Sequence, residues 1–389
     1  MNILSAFGML VGQGAAAVTS IKLGEDDKTM KRILPNTLLM IAICYAIVSS
    51  IMLCWLKPIL TTFGGSEATI PYAEEYLRIV IPGHIAISLS WGLSNVIRAV
   101  GKPRLAMETL VFGALLNIAL DPLFIFWLDM GIRGAAIATV ISMSASAIWA
   151  MAFFLKKEHE VSLKSSEYMI DSGIIAKILS IGMSPFLLQL CNSMVNIFMN
   201  TSLKRYGGDL AIGAFGIISS YSTLVTVTVV GLAHGLQPII GYNFGARQTA
   251  RVNETLRKGI MIGSIISIVG WLGAELAPRA IALCFNNQND ILIGMAANGL
   301  RIYCLMLGLV GFHVIVTNYY QSIGRARISI ALTLARQIVF LIPCIILLPM
   351  TNIFGLSKLN LLWFSQPVTT LLSCIMAGIV LKLTIEIDN

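Results

Sequence analysis

The sequence predicts an all-α polytopic membrane protein made of two helical lobes that repeat in parallel. Three observations support this fold class. Charged residues make up 12% of the 389 residues, about half of the roughly 25% that soluble domains carry. Eleven apolar runs are each long enough, at about 20 residues, to cross a bilayer as a helix. Landmark residues also recur in the same order in the two halves, which indicates an internal duplication.

The predicted spans define the organisation of the chain. They lie at 1–21, 36–56, 79–97, 106–128, 134–155, 178–203, 212–243, 259–278, 297–322, 328–350 and 359–381. We therefore expect an amino-terminal lobe of five spans over 1–160, a cytoplasmic linker over 161–175, and a carboxy-terminal lobe of six spans over 176–389. The seven cysteines and four histidines show no disulfide or metal-binding spacing, so the sequence predicts neither kind of site.

Lysine and arginine residues predict the orientation in the membrane. Most of the 27 basic residues fall in alternate linkers or the adjoining span ends: Lys22, Lys28, Lys31, Arg32, Arg98, Lys102, Arg104, Lys156, Lys157, Lys164, Lys177, Arg247, Arg251, Arg257, Lys258, Arg325, Arg327 and Arg336, with Lys382 after the last span. Because cytoplasmic loops carry such an excess, these linkers and the carboxyl terminus are predicted to lie in the cytoplasm. Topology thus explains the net charge of +8, and nucleic-acid binding is not expected.

The duplication is seen in matched landmarks about 220 residues apart. Gly14 to Lys31 matches Gly235 to Val252, and the four residues from Gly101 match those from Gly324. Asp121-Pro122 returns as Ile342-Pro343. Both copies cross the membrane in the same direction, so the repeat is parallel. Span 178–203 has no counterpart in the first copy, and we expect a six-plus-six arrangement whose first helix is missing here.

The main chemical candidate is Asn117-Ile118-Ala119-Leu120-Asp121-Pro122. Asp121 falls inside an apolar run, where a carboxylate costs about 2.5–3.5 kcal/mol and commonly binds or relays an ion. Asn117 lies four residues earlier on the same helix face. Pro122 has no N–H, which leaves the carbonyl of Ile118 without its helical partner. We expect these groups to converge on a proton or small cation. A helix kink, with Asp121 hydrogen-bonded to Asn117, is the structural alternative.

Other polar residues within the spans are weaker candidates. The apolar Ile342 stands where the first copy has Asp121, so the fold itself does not require an acid there. Amide side chains could line a substrate cavity or join helices: Gln13, Asn95, Gln189, Asn192, Asn196, Gln237, Asn318 and Gln321. Arg336 lies about nine residues inside its predicted span, and we expect it to snorkel to the cytoplasmic interface rather than face a cavity.

Together, these motifs resemble the multidrug and toxic compound extrusion (MATE) family, bacterial branch. The resemblance covers essentially the whole chain. It rests on Gly12-Gln13-Gly14 with Lys22-Leu23-Gly24-Glu25, Arg98 to Pro103, Asn117 with Asp121-Pro122, Gly131 to Thr139, and Gln237 to Asn243. It implies two six-helix lobes, alternating access, and secondary active efflux of lipophilic organic cations in exchange for H⁺ or Na⁺. It also implies an ion site at Asn117 and Asp121, with Thr139 on the next span and Asn95 on the previous one.

The expected partners follow from this interpretation. They are the lipid bilayer and small cationic amphiphiles, with H⁺ or Na⁺ as coupling ion, no cofactor and no obligate protein partner. We expect a monomer in the bacterial plasma membrane. No nucleotide-binding GxxxxGK[ST] motif or catalytic motif is present in the sequence, so an enzyme is not expected. Two alternatives remain, a flippase for lipid-linked oligosaccharide with related architecture and a truncated membrane remnant that does not transport.

Overall fold

The computed structural model describes residues 2–62, 70–156, 161–163, 168–285, 289–351 and 355–388. Over these ranges the chain forms helices and no strand. The α-helices are α1 (Asn2–Gly24), α2 (Ile33–Cys54), α3 (Leu56–Thr62), α4 (Ile70–Ala99), α5 (Pro103–Pro122), α6 (Gly131–Phe154), α7 (Ser172–Gly245), α8 (Thr249–Leu276), α9 (Pro278–Phe285), α10 (Asp290–Tyr303), α11 (Val310–Ser322), α12 (Ala326–Leu334), α13 (Ile342–Leu347) and α14 (Lys358–Asp388).

The described helices account for the predicted membrane crossings. Nine are long and apolar enough to span a bilayer, and α10 with the segment Leu307–Ser322 makes a tenth that bends by 46° at its break. Helix α7 has 74 residues, but Gly208 inside it has a left-handed φ of 65°. That conformation is open to glycine because it lacks a Cβ. Gly208 divides α7 into two helical parts, which contain the predicted spans 178–203 and 212–243.

Span boundaries are where the sequence-based prediction was least accurate. Helix α4 begins at Ile70, well before the predicted start at 79, and continues through Pro82. The linker predicted at 204–211 is helical except at Gly208. The span predicted over 297–322 is broken between Tyr303 and Leu307. Lys157 and Lys164, which contributed to the predicted orientation, lie outside the described residues.

The chain forms two compact units. The first comprises Met1–Phe186 and Gly241–Arg247, and the second comprises Leu187–Ile240 and Gln248–Asn389. In the first unit, α4 packs against α1, α2, α5 and α6. Helices α1 and α4 cross closely, because a Cβ placed on Gly12 would lie 3.0 Å from the Cα of Gly92. In the second unit, α8 crosses α11, where a Cβ on Gly311 would lie 2.1 Å from the carbonyl oxygen of Gly263.

The two copies of one duplicated glycine are packed differently. A Cβ on Gly14 of α1 would lie 2.1 Å from the carbonyl oxygen of Ile178, near the start of α7. One turn further along the same crossing, α7 approaches α1 equally closely, since a Cβ on Gly182 would lie 1.7 Å from the carbonyl oxygen of Leu10. Gly235, the repeat counterpart of Gly14, has no neighbouring atom within 4 Å of such a Cβ. Only the first copy therefore uses this glycine for a close helix crossing.

Candidate functional site

Asp121 and Asn117 form the pair that the sequence predicts. Both side chains lie on α5 and are partly buried. The Asn117 amide Nδ2 donates a hydrogen bond of 3.1 Å to Asp121 Oδ1. The i,i+4 spacing places the two groups on one helix face, and the amide donates to the carboxylate rather than to a backbone group. One carboxylate oxygen is thereby oriented while the carboxyl group keeps further lone pairs for an ion.

The helix around Pro122 has the form of a π-helical turn. Helix α5 ends at Pro122, and the backbone continues as a π-helix over Leu123–Trp127. The amide of Leu128 bonds the carbonyl of Leu123 at 3.0 Å, in the i→i+5 pattern. Such turns occur within α-helices and are common at functional sites. Pro122 thus leads directly into a locally widened helix, next to the carboxylate.

Helix α6 passes beside the Asp121 pair. A Cβ on Gly113 of α5 would lie 3.0 Å from the Ser146 side chain, and one on Gly134 of α6 would lie 2.6 Å from the carbonyl oxygen of Phe124. These contacts lie on either side of Asp121 and show that α5 and α6 are antiparallel and close. Thr139 lies between the two contact points on α6. Its hydroxyl donates to the Ala135 carbonyl at 2.9 Å, so in this structure it bonds its own helix.

The structure does not bring Asn95 to the Asp121 pair. The hydroxyls of Ser94 on α4 and Thr109 on α5 lie 2.9 Å apart. Asn95 follows Ser94 directly and therefore lies at about the same depth as Thr109. Asp121 follows Thr109 by about three helical turns, roughly 18 Å along α5. The Asn95 side chain instead accepts a hydrogen bond of 3.3 Å from Arg98. Asn95 therefore lies at the opposite end of α5, because α4 and α5 run antiparallel from their short connection.

No basic side chain neutralises Asp121 in the described part of the chain. The ion pairs found there involve other acids, such as Glu75 with Arg133 and Asp27 with Lys22. Asp121 lies within a segment, Pro103–Trp127, that has the length and hydropathy of a membrane span. An acid at that depth that lacks a fixed cation is a candidate for binding an ion.

The remaining amide candidates have varied surroundings. Gln13, Gln237 and Gln321 are buried, whereas Asn196 is exposed and Gln189 is partly buried. The Asn318 side chain accepts a hydrogen bond from Ser322 at 3.3 Å. Asn192 accepts one of 3.1 Å from Gln337. The last contact joins α7 to the π-helical segment Ala335–Leu341, so at least this amide connects helices.

A second polar cluster was not predicted from the sequence. Arg336 Nη1 lies 3.1 Å from Nδ1 of His313 on α11. The expectation that Arg336 snorkels to the cytoplasmic interface is therefore wrong, because its guanidinium bonds a side chain at the same depth. A signal was available: His313 lies about nine residues before α11 ends at Ser322, and Arg336 about ten after α12 begins at Ala326. Because α11 ends and α12 begins at the same end of the lobe, residues at equal distances from that connection lie at the same depth.

Comparison with known proteins supports the resemblance. The model of the family described as MatE matches residues 1–123 and 185–347. The chain belongs to this family. Its members are transporters, so the MATE protein described here is a multi-pass membrane transporter and not an enzyme. The resemblance inferred from the motifs and the two-lobe helical fold class are both confirmed.

Individual relatives agree with this assignment. The chain is 27% identical over 356 residues to the multidrug export protein MepA of Staphylococcus aureus, covering 91% of this chain and 78% of MepA. It is 32% identical to the MATE multidrug transporter DinF-BH, solved in complex with a ligand, with a TM-score of 0.88 over 98% of this chain and 84% of that one. A MATE structure in complex with MaL6 has a TM-score of 0.92 at 23% identity, covering 99% of this chain and 86% of that chain.

Proposed function

We propose that this MATE protein exports lipophilic organic cations across the bacterial plasma membrane, in exchange for H⁺ or Na⁺, by alternating access. The observation that carries the proposal is Asp121, an acid within a membrane span that is held by Asn117 at 3.1 Å and has no basic partner among the described residues. MepA is a multidrug export protein, and DinF-BH is a multidrug transporter, which supports the same class of activity.

In the proposed cycle, ion and substrate bind different states of the transporter. Facing outward, Asp121 takes up H⁺ or Na⁺, the helix rearranges around Pro122 and its π-helical turn, and affinity for the organic cation falls. Facing inward, the ion leaves and the carboxylate becomes available again. The ion drives transport only if it binds the two states unequally. One charge moved through 100 mV supplies about 2.3 kcal/mol, or roughly forty-fold accumulation.

The other side chains have supporting roles in this proposal. Asn117 orients the carboxylate, and Thr139 could provide a further oxygen if its hydroxyl left the Ala135 carbonyl. Asn95 has no part in this ion site because of its distance from Asp121. The amides Gln13, Gln189, Asn192, Asn196, Gln237, Asn318 and Gln321 remain candidates for contacts with substrate. We further propose that the chain acts as a monomer with a cytoplasmic carboxyl terminus, without cofactor or obligate protein partner.

Ethidium efflux from energised membrane vesicles tests the proposal. Asp121→Asn keeps the size of the side chain and its bond with Asn117 but removes the charge, so we expect efflux to fall to the level of vesicles without the protein. Asp129→Asn is a matched control. Asp129 is exposed, lies outside the predicted span and has a left-handed φ of 49°, which asparagine tolerates. Unchanged efflux by Asp121→Asn, or equal loss in both variants, contradicts the proposal.

The coupling ion is identified in the same vesicles. Collapse of the proton gradient in sodium-free buffer should stop efflux if the ion is H⁺, and removal of sodium at constant pH gradient should stop it if the ion is Na⁺. Efflux that continues under both conditions would exclude ion coupling at Asp121.

A flippase for lipid-linked oligosaccharide is the second candidate. The intramembrane Arg336 favours it, because pyrophosphate lipids need basic groups. Equilibrium binding of ethidium and of a polyprenyl pyrophosphate to the purified protein separates the two functions. Binding of ethidium alone supports export, whereas binding of the lipid alone supports the flippase. A protein that folds and binds neither ligand would fit the non-transporting remnant.

A further inference from the structure

An acid of the second unit has one carboxylate oxygen without a partner. Glu275 lies on α8, one residue before this helix ends at Leu276. Its Oε1 atom is enclosed by the protein and has no hydrogen-bond partner among the described residues. None of the ion pairs found within those residues includes Glu275 either. Enclosing a carboxylate oxygen without a donor or a cation is unfavourable, so this atom calls for a physical explanation.

Glu275 lies at the level where the neighbouring span is broken. Helix α8 packs against the segment Leu307–Leu309, and a Cβ on Gly308 would lie 3.9 Å from the Cβ of Trp271. Because α8 and this span run antiparallel, one turn forward from Trp271 corresponds to one turn back from Gly308. That step pairs Glu275 with Cys304, and the two groups are close enough to interact electrostatically.

The break supplies a backbone oxygen at this level. Helix α10 ends at Tyr303, and the span resumes at Leu307 after a bend of 46°. The amide of Leu307 bonds the carbonyl of Cys304 at 2.8 Å, so the Tyr303 carbonyl loses the amide that it would bond in a continuous α-helix. Carbonyl groups released where a membrane helix is broken commonly hold small cations in transporters.

A tyrosine of α7 brings a hydroxyl oxygen to the same part of α8. The Tyr221 hydroxyl donates to the Gly270 carbonyl at 2.7 Å, and a Cβ on Gly273 would lie 2.4 Å from this hydroxyl. Tyr221 therefore lies beside the last two turns of α8, which contain Glu275. Because a hydroxyl that donates a hydrogen bond keeps its lone pairs, the Tyr221 oxygen is still an acceptor.

We propose that Glu275 binds a small monovalent cation, Li⁺, Na⁺ or K⁺, where α8 ends in the second lobe. Its carboxylate supplies the balancing charge, and the Tyr303 carbonyl and Tyr221 hydroxyl supply further oxygens, which hard cations prefer. A divalent ion is not expected, because the described parts of the chain contain no group of three or more His, Cys, Asp or Glu residues. Glu275 as a whole is partly exposed, so an ion can reach it from the surface. This inference is independent of ion binding at Asp121.

Thermal unfolding in neutral detergent tests the site in the Asp121→Asn protein, which lacks the acid of the first lobe. At equal pH and ionic strength, replacing N-methylglucamine chloride by lithium, sodium or potassium chloride should raise Tm by about 1–3 °C for at least one of the three ions. N-methylglucamine is the reference because it is too large to fit beside an enclosed oxygen. The ion with the largest rise is the one that the site prefers. Adding Glu275→Gln, which keeps the size of the side chain but removes its charge, should abolish the rise.

Glu254→Gln is the matched control. Glu254 is an exposed acid on the same helix and bonds Lys258 at 2.6 Å, so its replacement should leave the Tm rise unchanged. A rise that persists in Asp121→Asn, where efflux is expected to be lost, separates this site from the proposed function. The proposal is overturned if the Asp121→Asn protein responds to none of the three ions, or if adding Glu275→Gln leaves the response as it was.

Equilibrium dialysis of the Asp121→Asn protein against each alkali ion, with bound metal measured by atomic absorption, keeps the test decisive if Glu275→Gln does not fold. We expect saturable binding of one ion per chain. Adding Glu275→Asp keeps the charge but withdraws the carboxylate by one methylene group, so Kd should rise several-fold. Absence of saturable binding of all three ions, or an unchanged Kd in the Glu275→Asp variant, overturns the proposal.

Discussion

The two lobes of this transporter hold ionisable groups of opposite character within the membrane. The first has Asp121, bonded by the Asn117 amide. The second has Arg336, bonded to His313, and an apolar Ile342 where the first has its acid. A duplicated helix pair therefore carries a negative site in one copy and a positive site in the other.

The backbone differs less than the charges do. Each lobe has a proline in the equivalent span and a π-helical segment next to it. In the first lobe the segment Leu123–Trp127 follows Pro122, and in the second Ala335–Leu341 precedes Pro343. A π-helical segment thus occurs in both lobes, beside an acid in the first and with an arginine in the second. It follows the proline in the first lobe and precedes it in the second. The helix geometry is therefore common to both lobes, whereas the ionisable groups differ between them.

The largest expected effect comes from making the first lobe resemble the second. Asp121→Ile introduces the residue that the second copy has at this position. Because the second lobe folds without an acid there, we expect Asp121→Ile to express and to unfold at a Tm close to that of the wild type, while ethidium efflux is lost. Efflux in vesicles and Tm of the purified protein check this. A variant that fails to fold would show that the acid is structural and remove the argument from lobe asymmetry.

Stability should respond differently at the duplicated glycines. In Gly14→Ala the new Cβ meets the Ile178 carbonyl oxygen at 2.1 Å, whereas in Gly235→Ala nothing lies within 4 Å. Overpacking of this kind costs about 1–3 kcal/mol, and Gly→Ala in an unobstructed helix gains about 0.5–1 kcal/mol. We expect Tm to fall in Gly14→Ala and to rise or stay constant in Gly235→Ala. A similar fall in both variants would mean that the two copies are packed alike.

The hydrogen bond to the carboxylate predicts a smaller effect on ion coupling. Asn117→Ala removes the 3.1 Å bond to Asp121, and a bond to a charged group contributes about 1.5–3 kcal/mol. If Asn117 orients the carboxylate for the ion, the coupling-ion concentration that gives half-maximal efflux should change by about tenfold or more. Ile338→Ala changes the repeat-equivalent position and should leave it unchanged. No change in Asn117→Ala would assign the amide to helix packing.

The N-cap of the short 3-10 helix Lys28–Arg32, which precedes α2, gives the smallest predicted difference. Asp27 accepts from the Thr29 amide at 2.8 Å and also bonds Lys22, whereas the equivalent Gln248 makes no side-chain capping bond. Asparagine caps a helix as well as aspartate does, but it cannot form the ion pair that Asp27 makes with Lys22, and such a pair contributes up to about 1 kcal/mol. We therefore expect Asp27→Asn to lower Tm slightly at neutral pH, and Gln248→Asn not to lower it.

The Asp27 contribution should also depend on pH. The hydrogen bond from Lys22, followed by that from Thr29, lowers the pKa of Asp27 from 3.8 to about 2. The charged form is favoured in the folded state, so its contribution is complete above pH 3.8 and is lost as pH falls towards 2. The Tm difference between wild type and Asp27→Asn should shrink over that interval. A difference that stays constant would mean that the carboxylate charge has no role in the cap.

The sequence by itself determined what depends on one helix at a time. Hydropathy and length located the apolar spans, and the i,i+4 spacing placed Asn117 and Asp121 on one helix face, where the structure has the hydrogen bond that the structural alternative expected. The ordered motifs identified the family for the same reason, since they are local strings of residues.

Only the tertiary structure decided which helices meet and at which level. It separated Asn95 from Asp121, joined Arg336 to His313, and packed Gly14 while leaving Gly235 open. These outcomes depend on how each helix is rotated and shifted against its neighbours. In a membrane protein the apolar pattern contains little of that information, because lipid-facing and buried faces are similarly hydrophobic and close packing selects the contacts.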